Sequence, residues 1–256
     1  MDFIDKIIDT TPKHIIISDD EKQLFEKFGR LHDKAKELWQ PVPMAVLTVE
    51  VNNPGQEPHG IKRISKTWVR NAYTYLQQQI ALANYADGSF GSGYHSAKTT
   101  AGSVKSSAVS SRFGGSLEST GYGYGATAGT ATRGILVGTD TTAESFESYA
   151  LGAVIAHGTG AGQMSYNAST VSKAWDGSPN FTWTATHERI INNNSGNTIT
   201  VNECALYAYF VNAFTLYVGT SYQTFMNNRD KLTSGEAILD AGQLTVTYDL
   251  VITFPE

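Results

Sequence analysis

Between Gln243 and Phe254 the chain alternates without interruption. Leu244, Val246, Tyr248, Leu250, Ile252 and Phe254 fall on one face, with mainly Thr and Asp between them. A side-chain period of two sustained over that length is the signature of a half-buried strand. Upstream, Gly134 to Gly162 reads GILVGTDTTAESFESYALGAVIAHGTGAG, a short apolar strand followed by a Thr-rich turn, an amphipathic segment, a second apolar run and a glycine loop. Everything from Gly134 onward reads as strands assembled around these two segments.

The intervening punctuation supports that. Gly162 to Trp175 is a candidate strand that stops at Asp176-Gly177-Ser178-Pro179-Asn180, and Phe181 to Ile191 returns. The turn Asn192-Asn-Asn-Ser-Gly-Asn197 accepts positive φ cheaply and leads into a strand from Thr198 to Phe210. Phe214 to Val218 extends that sheet or starts another. The polar run Asn227-Asn-Arg-Asp-Lys231 reads as irregular, and Asp240-Ala-Gly242 as the last turn. Strands joined by short Asn/Gly/Asp turns predict a mainly β protein, with an antiparallel β-sandwich or jelly-roll-like domain at 134–256.

The first 84 residues read as a helical region with one strand. After the apolar segment Phe3 to Ile8, Ser18 and Glu21 form a capping box. Leu24, Phe25, Phe28, Leu31, Ala35, Leu38 and Trp39 then recur at helical spacing up to Pro41. The opposite face is mixed in charge and reads as solvated, while Trp39, beside the exit loop, is a candidate partner contact. Leu47, Val49 and Val51 share a face of a strand from about Met44 to Asn52, and a turn at NNPGQEPHG follows. A second helix is expected from about Ser65, carrying Trp68, Val69, Ala72, Leu76, Ile80 and Ala83. Lys62, Lys66 and Arg70, four apart, would stack at its start as a phosphate or acidic-partner contact or as an ordinary solvated face.

Residues 85–133 differ in composition. Tracts such as SFGSGYHSAKTTAGS and STGYGYGATAGTATRG hold no period of 3.6 or 2.0, which predicts a long Gly/Ser/Tyr-rich arm of loops and short strands. Tyr122 and Tyr124, alternating with glycines, read either as a subunit or ligand contact or as a covered β-edge.

Composition limits function. The chain is 41% hydrophobic and only 17% charged, so Gly, Ser, Thr, Asn and Tyr make up a surface suited to packing against neighbours. A net charge of -5 argues against a mainly electrostatic grip on nucleic acid. The single cysteine, Cys204, excludes an intrachain disulfide framework and a multi-cysteine zinc site, and it reads as a buried strand thiol rather than a nucleophile. The opening MDFIDKIIDTTPKH has no signal-peptide pattern and no run reaches the length of a membrane span, so synthesis and assembly in a cytoplasm are expected.

No reaction motif is present. Gly158-Thr-Gly-Ala-Gly162 lacks the Lys and Ser/Thr of a phosphate loop, and a strand follows it where a helix should begin. The six histidines show neither HxH nor HExxH spacing. Asp140, Glu144 and Glu147 could suggest calcium or a carboxylate pair, but they lack the EF-hand pattern and suit caps or solvated charges. Asp249 is expected to point away from the face of Tyr248 and Leu250. Catalytic, cofactor and metal residues are therefore assigned to none.

The order GILVGTDTTAESFESYALGAVIAHGTGAGQMSY, NNNSGNTITVNECALYAYF and AGQLTVTYDLVITF resembles a group of virion structural proteins of tailed bacteriophages. In that group a VGTGTT strand-turn, a D/E-x-x-L segment, an NNSG-x-x-ITV-x-E-x-G-L-Y hairpin and a terminal G-x-x-L-x-V-x-Y strand recur in this order. SKTWVRNAYTYL also looks like the segment that precedes the module. The likeness covers roughly the last 120 residues, with Ala205 standing where the pattern tends to have Gly. It implies a non-enzymatic virion building block of capsid, neck or tail, contacting copies of itself and other virion proteins. The alternative expectation is a receptor- or glycan-binding module of the adsorption apparatus, with Trp175, Trp183 or the Tyr122/Tyr124 pair as a stacking platform.

Overall fold

The computed structural model describes residues 3–65, 68–73, 96–106, 123–177, 181–212 and 221–254. The protein is mainly β. Among the described residues, helices α1 (Phe3–Asp9) and α2 (Asp19–Glu37) accompany the strands β1 (Ile15–Ile16), β2 (Val42–Asn52), β3 (His59–Ile64), β4 (Ser96–Lys98), β5 (Val104–Ser106), β6 (Gly134–Gly138), β7 (Ser165–Tyr166), β8 (Thr170–Asp176), β9 (Thr182–Asn192), β10 (Ile199–Asn212), β11 (Ser221–Ile238) and β12 (Gln243–Thr253).

Seven strands form one sheet in the order β1-β3-β2-β12-β9-β7, with β8 also on β9. Among the described strands of this sheet, only the β1/β3 pairing is parallel. A second sheet runs β11-β10-β6, and β4 and β5 form a small ribbon. The terminal strand holds the centre of the large sheet: Leu244 faces Val51 on one side and Ile191 on the other, and that register continues to Thr253. The large sheet thus draws strands from both the 1–84 and the 134–256 segments, so the division expected from composition is not a boundary between sheets. The cause is pairing demand: the alternating β12 is a central strand, and β2 supplies the edge that it lacks.

The faces of the sheet explain the sequence of β2. Leu47, Val49, Val51, Leu244, Val246, Tyr248 and Ile191 share one hydrophobic cluster with Ile135, Leu136 and Val137 of β6, Leu206 and Tyr207 of β10 and Met226 of β11. On the other face Met44, Val46, Ile64 and Val251 pack with Ile4 and Phe25 of the two helices. A strand covered on both sides reads as a continuous apolar run, as Met44–Leu47 does.

The N-cap reading is realised, since the Ser18 side chain accepts the Glu21 N–H. The Glu21 carboxylate itself reaches the N–H of Ile64 and ties the helix to β3. At its other end Gln40 N–H bonds Ala35 C=O and Trp39 N–H bonds Lys36 C=O, which is a Schellman closure with Trp39 at φ 55°.

Two strand expectations are corrected. Asn227–Lys231 is not irregular but lies inside β11, where Asn227, Asn228, Arg229 and Asp230 are buried. The stretch from Gly162 to Trp175 is broken into β7 and β8. Phe214–Val218 lies outside the described residues, as does the expected helix beyond Tyr73; residues 70–73 are helical.

Candidate functional site

Polar groups converge where β11 meets the loop after β6. Asp230, fully buried, accepts from Arg63 (3.0 Å), Ser65 Oγ (2.7 Å) and Tyr248 OH (3.0 Å). Burial pushes its carboxyl up, against the pull of Arg63. Arg63 also bonds the Lys231 carbonyl and Glu144. One residue earlier on β11, Arg229 donates to the buried Glu203 (2.8 Å) and reaches Asp140 (3.3 Å). Hydrogen bonds from the N–H and hydroxyl of Thr142 lower the Asp140 pKa. Glu147 pairs with Arg70. The three carboxylates that suggested calcium or a catalytic pair each take a different arginine, and the set clamps the 140–147 loop to both sheets.

A second buried cation lies on β9. Arg189 donates to the carbonyls of Asn167, Arg133, Ile135, Thr127 and Thr130 at 2.7–3.3 Å, and its guanidinium lies 4.7 Å from the Tyr166 ring centre. Burial brings its pKa down to about 10. Four of the five carbonyls lie outside strands, so one side chain supplies hydrogen bonds where the ladder does not reach. Burial pushes the Cys204 thiol up, which leaves it a packing residue without thiolate character. Among the described residues no cluster of His, Cys, Asp and Glu could hold a metal ion, and no helix is long and apolar enough to cross a membrane.

The residues expected to contact partners separate in space. Trp39 is exposed at the end of α2. Lys62 does not start a helix: it lies on β3, where its ammonium bonds the Ile7 carbonyl and Thr11 hydroxyl, and burial lowers its pKa. Arg70 is taken by Glu147 and sits over Phe146. The stack of three cations is therefore not built from Lys62 and Arg70, and Lys66 lies outside the described residues. Tyr122 also lies outside them. Tyr124 is not an open platform, since its half-buried ring packs edge-on to His187, and its hydroxyl accepts from Asn227. Burial pushes that hydroxyl up to about 12.

Comparison with protein families, with curated proteins and with solved structures finds no match. The site has to be judged on its geometry.

The open surface is elsewhere. Trp175, Trp183 and Ile252 are opposite one another on β8, β9 and β12, and all are exposed, at 53, 42 and 38%. Phe181 and Phe254 flank them, with ring centres 6.5 and 6.0 Å from Trp175. Sequence reading singled out the two tryptophans but not Ile252, Phe181 or Phe254 as their companions, because the register that aligns them is set by pairing across the sheet. A separate apolar groove of about 570 Å³ runs between α2 and the ends of β2 and β3, lined by Leu24, Phe28, Met44, Ile64, Trp68 and Tyr73.

Proposed function

We propose that this chain is a non-enzymatic structural subunit of a tailed-bacteriophage virion, in capsid, neck or tail. It assembles with copies of itself and with neighbouring virion proteins. In this reading the seven-stranded and three-stranded sheets are the two layers of a sandwich of jelly-roll type.

The supporting observation is where the polar residues of the recurring motifs go. Glu203 of the NECALY strand holds Arg229 and the Ala153 N–H. Tyr207 of the same strand accepts the Leu151 N–H at 2.6 Å. Asn193 of the hairpin turn donates to the Asn197 and Ile238 carbonyls, and its own N–H bonds Gly242 before the terminal strand. Gly196, at φ +76°, gives its N–H to Asp240. Tyr248 of the terminal strand bonds Asp230. These groups hold the module to itself instead of converging on a cavity, as suits a block whose shape is its contribution.

The test is composition of the particle. Density-gradient-purified virions from an infected culture, measured by quantitative mass spectrometry, are expected to carry the chain at a fixed ratio to the major capsid protein. If the chain is abundant in the lysate yet missing from purified particles, the reading is overturned.

A further inference from the structure

We propose that the row of Trp175, Trp183 and Ile252, with Phe181 and Phe254 beside it, binds a neutral polysaccharide chain. The inference does not depend on the virion assignment.

These residues occupy the core side of the large sheet. Ile252 and Phe254 continue the series Leu244, Val246, Tyr248 whose earlier members are fully buried, and the row runs on through Ile252 to Pro43 of β2. Four strands at roughly 4.8 Å spacing make this a strip about 14 Å long. The rings do not stack on one another. Trp175 meets Phe181, Trp183 and Phe254 at interplanar angles of 62, 41 and 58°, and Trp175, Trp183 and Phe254 all keep exposed surface for a ligand.

A strip of rings beside polar backbone selects a particular chemistry. Among the described residues β8 pairs only with β9, so its outer edge presents N–H and C=O groups next to Trp175. A pyranose has an apolar C–H face to lie on the rings and a rim of hydroxyls to meet that edge. Charge around the strip is low: Lys6 and Asp176 neutralise each other at 2.8 Å, and Lys173, one row back on the same face, is the further cation. One ammonium does not select a polyanion, which needs clustered positive charge. A second copy is the competing occupant of such an edge. Pairing all seven residues of β8 antiparallel with another β8 puts Lys173 opposite Lys173, and like charges directly opposite destabilise a ladder.

The test uses the full chain on an array of neutral and acidic bacterial polysaccharides and hexose oligomers, followed by calorimetric titration of the strongest hit. Binding to a neutral glycan, little changed by salt, is expected. W175A and W183A should each weaken it at least about fivefold, whereas W175F and W183F, which keep a ring, should stay within about threefold of wild type. Thermal unfolding of the four variants near that of wild type establishes that they fold. Silence across the array overturns the proposal, as does binding that the alanine variants leave unchanged. Binding restricted to acidic glycans and abolished by salt overturns its neutral-ligand claim. A dimer that W175A dissociates, without glycan binding, gives the surface to a second copy and overturns it as well.

Discussion

The two ends of the large sheet carry the same side-chain pattern under opposite conditions. On β9 and β12, Arg189, His187, Val246 and Tyr248 lie beneath the three-stranded sheet and are buried. A few residues along the same strands, on the same face, Trp183 and Ile252 are open to solvent. At the covered end the charge of Arg189 is held by five carbonyls, while the open end is aromatic. Burial, and not the alternation itself, decides which chemistry a position holds.

The largest effect is expected at Arg189. In R189M five carbonyls lose a hydrogen bond, Thr127 keeping a second one from the Thr130 N–H, and a loss of about 3–5 kcal/mol is predicted by urea denaturation. A loss below about 1 kcal/mol would show that water replaces the guanidinium and that the covered end is not sealed.

His187 gives the next. Burial, with a smaller contribution from Lys173, lowers its pKa from 6.5 to about 4. An unfolded His takes up its proton near pH 6.5, so the fold keeps this stability above 6.5 and loses it as pH falls toward 4. The full window corresponds to about 3 kcal/mol. Compared at pH 7 and pH 4.5, H187F should lose less stability than wild type. Equal losses would place the imidazole in contact with water.

Two smaller tests complete the series. Y248F removes one donor from Asp230 but leaves Arg63 and Ser65 in place, so a cost of about 1–2 kcal/mol is expected from chemical denaturation. At the open end W183T should change stability by about 0.5 kcal/mol or less, because an exposed ring contributes little to the fold. A cost like that of a core deletion would mean that the aromatic strip is part of the core.

The legible parts of the fold were the local ones. Ser18 as N-cap, the turns at Asn192–Asn197 and Asp240–Gly242, and the face of the terminal strand each depend on neighbours a few residues away. Of the candidate site, Trp175 and Trp183 were readable as aromatics, though their alignment with Ile252 was not. Lys62 and Tyr124 stayed open between two readings, because a cation and a ring look the same in sequence whether solvated or held. Lys62 is fixed by Ile7 and Thr11, Tyr124 by Asn227 and His187. Asn227–Lys231 misled for the converse reason. A polar run reads as a loop unless its partners are known, and Arg63, Ser65 and Glu203 reach it from far along the chain.

Short stretches carried the mainly β character, the turns at Asn192–Asn197 and Asp240–Gly242 and the apolar face of β12, since period, caps and turn residues are local properties. Only the tertiary structure decided that β2 joins β12, that Arg189 and Asp230 lie in the interior and that the apolar face ends uncovered at Trp175. Those outcomes depend on which distant segment arrives to supply hydrogen bonds or exclude water, and no short stretch encodes the arrival of another.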